Sequence, residues 1–227
     1  MIHTIPAVLS ADDVAYCRAQ LERATWIDGK VTAGVQSARA KTNLQIDQDG
    51  AEARAIGDLI LDRLGAHPAF IAAALPARVF PPLFNRYEAG MGFDAHVDNA
   101  IRFGGRQGAP YRTDLSCTLF LSDPAEYEGG ELQIEDQFGA PAVKLAAGDM
   151  VVYPASSVHR VTPITRGARL ASFFWIQSMI RDDGQRALLH SLDQSIGETR
   201  LAMGDDHPAV LRLTGGYHNL LRMWAEF

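Results

Sequence analysis

The apolar positions of this chain change period twice. Between Leu9 and Ala24 they recur at helical spacing, at Val14, Cys17, Leu21 and Ala24. Ser10 stands ahead of them as a capping residue, and Asp12 and Asp13 suit the positive end of the helix dipole. Trp26-Ile27-Asp28-Gly29 closes that segment. Gly29 to Asn43 is polar, a strand and loop carrying Lys41 and Asn43. A second stripe, Ala53, Ile56, Ile60 and Leu64, predicts a helix over 49–64. His67-Pro68 begins a short third helix that runs to Leu75. Pro81-Pro82 then breaks the pattern.

From Leu83 to Gln177 the apolar residues fall in short runs between turns. They predict strands over 83–87, 115–121, 131–134, 149–153, 159–161 and 170–176. Glu128-Gly129-Gly130 and Ala147-Gly148-Asp149 are turn signals. Strands at this spacing suggest a β-sandwich or jelly roll. Helical periodicity returns after Asp182, through Arg186–Leu192 and a segment ending Leu220-Leu221-Arg222-Met223-Trp224. Gly204 to Pro208 and Gly215-Gly216 punctuate it, and Leu220, Leu221 and Trp224 read as core. The expected organisation is α+β, mainly β. Residues 1–82 form an N-terminal helical and strand support, 83–178 the core, and 179–227 a small C-terminal helical segment.

Composition narrows this picture without redirecting it. At 227 residues the chain can bury a proper core. A net charge of −6 gives no support to nucleic acid or an anionic membrane as a partner. Met1-Ile2-His3-Thr4-Ile5 lacks the basic start and long apolar core of a signal peptide, and no apolar run approaches a bilayer span. Cys17 and Cys117 lie far apart with no CxxC partner, so a reduced, cytoplasmic setting is expected.

The chemistry concentrates in the strand region. His96-Val97-Asp98 puts an imidazole and a carboxylate on one face of extended chain. His159 follows about 60 residues on, in Tyr153-Pro154-Ala155-Ser156-Ser157-Val158-His159, and a neighbouring strand can bring it alongside. Two imidazoles and one carboxylate cap one face of an octahedral metal and leave the other open, the facial triad of non-haem Fe(II) oxygenases. Arg169 lies ten positions later within the apolar run Ala168–Trp175, where a lone guanidinium is costly without a partner. It offers a fixed cation for the far carboxylate of a chelating keto-acid; a salt bridge at a sheet edge is the alternative. His3, His67, His190, His207 and His218 have no carboxylate at matching strand spacing, so solvated or capping roles are expected of them.

These residues resemble the prolyl 4-hydroxylase-like branch of the Fe(II)/2-oxoglutarate dioxygenases, and more narrowly the bacterial PKHD-type hydroxylases. The blocks that carry the resemblance include Asn85-Arg86-Tyr87, His96-Val97-Asp98-Asn99, Glu128-Gly129-Gly130-Glu131-Leu132, Tyr153 to Pro163 and Phe174-Trp175-Ile176-Gln177-Ser178. The resemblance implies a double-stranded β-helix (cupin-like jelly roll). It implies iron on His96, Asp98 and His159, with 2-oxoglutarate paired through its distal carboxylate to Arg169. Tyr87 matches the family position whose hydroxyl points at the keto-acid. Two departures stand out. Ala171 occupies a position that often carries a small hydroxyl residue, and Phe120 one that can carry tyrosine, which makes Thr118 the candidate replacement hydroxyl.

The implied activity is hydroxylation of a C–H bond in a protein side chain or small metabolite. It consumes O2 and 2-oxoglutarate and releases succinate and CO2, with ascorbate as an accessory reductant. A cupin-like metalloenzyme of another reaction type, or a module that binds iron and keto-acid without turnover, are the competing readings. The Gly-rich segment Asn99 to Asp114, with Arg102, Arg106 and Arg112, is expected to form a lid or rim able to receive an anionic substrate, with Gly104-Gly105 as its hinge. Arg112 and Asp114 can instead pair with one another. A homodimer is left open.

Overall fold

The computed structural model describes residues 2–32, 40–103, 109–136 and 139–226. The first helix, α1 (Ala11–Arg23), opens on a capping box. The Ser10 hydroxyl accepts from the Asp13 amide, while the Asp13 carboxylate accepts from the Ser10 amide. Asp13 also reaches Arg63 on α2 (Ala51–Gly65) at 2.8 Å, tying the two helices together. α3 (Pro68–Ala74) starts on His67 as N-cap, with proline in its first turn.

The buried stripes of α1 and α2 cover one face of an eight-stranded antiparallel sheet. Its main path runs β1 (His3–Ile5), β14 (Met150–Pro154), β10 (Leu115–Phe120), β17 (Arg169–Ser178), β6 (Leu83–Tyr87), β4 (Leu44–Ile46) and β2 (Trp26–Asp28). β5 (Pro76–Val79) pairs with the far end of β17. Strand alternation divides two jobs between the faces of this sheet. Leu115, Cys117, Leu119, Phe174 and Ile176 pack beneath the helices. Ser116, Thr118, Phe120, Arg169, Ala171, Phe173 and Trp175 point the other way, in register across β10 and β17.

A second, five-stranded sheet faces that inner side. It runs β13 (Ala142–Val143), β12 (Leu132–Ile134), β15 (His159–Val161), β7 (Gly92–His96) and β3 (Lys41–Thr42). Tyr87, Phe120, Leu132, Ile134, Val151 and Val161 fill the space between the sheets. Two two-stranded antiparallel ladders flank them: β8 (Ile101–Phe103) with β9 (Pro110–Arg112), and β11 (Tyr127–Gly129) with β16 (Ile164–Gly167). At Gly129 (φ 72°) a Cβ would sit 2.1 Å from the Pro163 carbonyl oxygen, so the Gly129-Gly130 turn accepts no side chain.

The chain closes with α4 (Asp183–Met203) and α5 (Pro208–Trp224), packed on each other and on Leu75 and Ile180. Leu220, Leu221 and Trp224 join that cluster. The Glu226 carboxylate lies 3.4 Å from Arg112, which also pairs with Asp114 at 3.0 Å.

Three expectations need correction. Trp26-Ile27-Asp28 forms an edge strand on β4, its aromatic and branched residues suiting a half-buried ladder better than a helix end. Gly215-Gly216 does not interrupt α5, because packing against α4 outweighs the roughly 1 kcal/mol each glycine costs a helix. His3 and His190 are neither solvated nor capping. Their rings meet edge to face at 4.4 Å, and burial with the neighbouring His190 charge lowers the His3 pKa to about 4. His67 and His207 do cap helices. The expected hinge Gly104-Gly105, and Arg106, lie outside the described residues.

Candidate metal and keto-acid site

β7 and β15 are neighbours, and His96 and His159 are direct cross-strand partners. That pairing brings their ring centroids to 4.2 Å. Asp98 lies two residues beyond His96, past the end of β7, yet its Oδ2 is 3.8 Å from His159 Nε2. One donor atom from each of the three residues falls within 4.8 Å of the others.

Hydrogen bonds orient all three groups. His96 Nδ1 donates to the Asp94 carbonyl at 2.8 Å, and His159 Nδ1 to the Ser157 carbonyl at 3.1 Å. A carbonyl only accepts, so these bonds put the proton on Nδ1 and leave the Nε2 lone pair for a metal. Burial, then the nearby His159 charge, lowers the His96 pKa to about 4, so that imidazole is neutral near pH 7. Ser116 Oγ donates to Asp98 Oδ2 at 2.5 Å, which turns the carboxylate toward the imidazoles. Two imidazoles that present Nε2 and a held carboxylate fit a divalent, octahedral ion of the Fe(II) type.

The same pocket extends along β17 to Arg169. Arg169 is 1% exposed, on a central strand and not at a sheet edge. Its Nε and Nη1 have no hydrogen-bond partner among the described residues, and the guanidinium also faces the Tyr127 phenol. The rings of Tyr87 and Phe120 stand 5.6 Å and 5.0 Å from the guanidinium carbon. Burial of this kind is costly without a counter-charge, and an anionic ligand in the pocket would supply one. Tyr87 pairs with Arg169 in register and lines the pocket, its phenol pushed up to about 12 by burial. Thr118 also lines it, buried beside Tyr153, whose phenol burial holds well above its ordinary range.

The six residues singled out from sequence therefore share one pocket. Sequence reasoning did not assign roles to Ser116, Asn85, Lys41, Phe173 or Trp175, which line it too. Alternation from Thr118 to Ser116 is a signal that points to the first. Lys41, 4% exposed on a two-residue strand, has no such pattern around it.

Comparison with known proteins places this geometry in context. Residues 82–177 match the 2OG-Fe(II) oxygenase superfamily, and residues 183–226 the PKHD-type hydroxylase C-terminal domain. The chain is 62% identical over 226 residues to PKHD-type hydroxylase GOX0559 of Gluconobacter oxydans, covering all of both chains. It is 57% identical over 228 residues to PKHD-type hydroxylase PiuC of Pseudomonas aeruginosa, again over the full length of both. In fold it is similar to a Pseudomonas putida prolyl-4-hydroxylase (TM-score 0.53, 21% identity, 78% of this chain and 92% of that one). It is also similar to HygX from Streptomyces hygroscopicus, solved with nickel and 2-oxoglutarate (TM-score 0.53, 18% identity, 76% and 81%).

Proposed function

This chain belongs to the PKHD-type hydroxylases of the 2OG-Fe(II) oxygenase superfamily, and from that premise we propose the roles of its residues. His96 and His159, through Nε2, and the Asp98 carboxylate hold Fe(II). Arg169 receives the distal carboxylate of 2-oxoglutarate. Fe(II), 2-oxoglutarate and O2 bound there supply the oxidising power for hydroxylating a substrate C–H bond, with succinate and CO2 released.

The protein's part is to bind, orient and keep dry. A guanidinium fork matches a carboxylate in two parallel hydrogen bonds, and the apolar walls at Tyr87 and Phe120 strengthen that pairing by excluding water. Tyr87 and Thr118 are the hydroxyls available to the keto-acid beside Arg169. Ser116 fixes Asp98, leaving the metal face opposite the three ligands for keto-acid and O2. The two facing sheets are read as a double-stranded β-helix spanning 83–178, supported by 1–82 and followed by a helical segment over 179–227. None of the described helices is long and apolar enough to cross a membrane, and a cytoplasmic setting with ascorbate as reductant is part of the proposal.

The observation that carries this reading is the buried Arg169 guanidinium, in no ion pair with a described residue, on the wall of the pocket that holds the His–Asp–His cluster. Anaerobic addition of Fe(II) and then 2-oxoglutarate tests it, followed by the visible metal-to-ligand charge-transfer band. A band in wild type that is lost in Asp98→Ala is the expected result. Iron binding without a band would overturn the keto-acid assignment and favour a metalloenzyme of another reaction type.

A further inference from the structure

Arg169 lies at one end of the pocket, and two other cations line it elsewhere. Arg102, on β8, lies over Trp175 with its guanidinium carbon 3.8 Å from the indole centroid and 5.4 Å from that of Phe80. It forms no ion pair with a described residue. Lys41 Nζ sits between Phe93 (5.6 Å) and Phe173 (5.7 Å), and Phe93 in turn stacks on His96 at 3.6 Å. Phe173 and Trp175 are edge to face at 5.6 Å. An unbroken series of contacts thus runs from a metal-ligand imidazole through Lys41 to Arg102.

Trp175 is six residues beyond Arg169 on the same strand, roughly 20 Å at strand rise. A five-carbon keto-acid held by Arg169 does not span that length. Trp175 is instead the register partner of Ser116, which holds Asp98. Arg102 therefore flanks the triad on its side away from Arg169, and Lys41 reaches in one rung nearer, at Phe173, the register partner of Thr118. Both are partly desolvated. Burial, then the neighbouring Arg102 charge, lowers the Lys41 pKa to about 8, and burial lowers that of Arg102. Asp98, which a metal would engage, faces both, and Asp28 faces Lys41 as well.

We propose that this end of the pocket is a substrate subsite for a carboxylate carried on a flat or apolar body. Arg102 and Lys41 receive the anion, and Phe173 and Trp175 form the floor. Stacking on Trp175 fixes the guanidinium plane and turns its N–H edge to a planar two-oxygen acceptor, while Lys41 adds a point charge from the opposite side. The inference rests on the iron and keto-acid reading and names the substrate class for that site.

The test uses protein loaded anaerobically with Fe(II) and 2-oxoglutarate, with loading checked by the charge-transfer band. Phenylacetate and 3-phenylpropionate, each against its primary amide, are titrated by calorimetry into wild type, Arg102→Gln and Lys41→Met. The acids should bind at least roughly tenfold tighter than the amides. That ratio should fall below about threefold in each variant, with the 2-oxoglutarate midpoint unmoved. Acids that bind no better than amides, or a ratio that survives in both variants, would overturn the subsite. So would a 2-oxoglutarate midpoint raised more than about tenfold in either variant, which would hand that cation to the keto-acid. Absence of the band in wild type refutes the underlying reading alone. The acid–amide ratio on metal-free protein then decides the subsite by the same thresholds.

Discussion

Replacing Arg169 with methionine should move two properties in opposite directions. In the free protein the guanidinium is 1% exposed, and two of its three nitrogens have no hydrogen-bond partner among the described residues. Methionine fills much of the same volume without a charge to desolvate. Exchanging buried ionic groups for apolar ones of similar size commonly stabilises by about 1–4 kcal/mol. The rings of Tyr87 and Phe120 already offset part of the desolvation cost, so the lower half of that range applies. At about 2–4 °C per kcal/mol for a chain of this length, the metal-free variant should melt roughly 2–10 °C higher. Keto-acid binding should suffer. Removing one partner of a buried, hydrogen-bonded charge pair costs about 2–5 kcal/mol, or roughly thirtyfold to several thousandfold in affinity. Thermal melts of metal-free protein and anaerobic 2-oxoglutarate titrations of the Fe(II) form measure the two effects. A titration midpoint that moves less than about threefold would refute the assignment of Arg169. A lower melting temperature would show instead that the guanidinium is satisfied in the free protein.

Other perturbations have equally definite outcomes. Ser116→Ala frees the Asp98 carboxylate and should weaken Fe(II) affinity by roughly 10–100-fold, read by competition with a metallochromic chelator, with the fold retained by circular dichroism. Asp13→Asn removes the carboxylate charge, and one of the two acceptors, from the pairing with Arg63 that holds the Asp13 carboxyl well below its ordinary value. A depressed folded pKa means stability that is full above the ordinary carboxylate value near 4 and is lost as pH falls below it. The wild-type advantage in urea midpoint should therefore be present at pH 7 and shrink progressively below about pH 4. Gly129→Ala forces a Cβ against the Pro163 carbonyl at positive φ, and should lower the urea midpoint more than Gly216→Ala, where a Cβ meets nothing within 4 Å.

Much of this site was legible because its residues sit in patterns that sequence encodes directly. His96 and His159 announce themselves by residue type, and Arg169 by being a charge inside an apolar run. The structure adds that the two histidines share a ladder rung, a fact of strand register that local sequence does not carry. The short strands at 26–28, 44–46 and 92–96 escaped detection because they are three to five residues long and take their stability from pairing with other strands. Lys41 was invisible as a pocket residue for the same reason, since its place beside Phe93 comes from pairing across some fifty positions. Gly215-Gly216 misled in the opposite sense, as a local preference overruled by packing on α4.

The division of labour between the two faces of β17 sets limits on how this protein can change. Phe174 and Ile176 anchor the helices, while Arg169, Phe173 and Trp175 belong to the pocket. Substitutions on the pocket face can accumulate one at a time, altering what the enzyme accepts without touching the core. An inserted or deleted residue between Arg169 and Trp175 has no such freedom. It would send each later side chain to the opposite face, setting a tryptophan among helix contacts and a core isoleucine among the substrate groups. Drift in substrate preference is therefore open to this lineage by point replacement along β17, whereas length variation must be confined to the segments that join its strands.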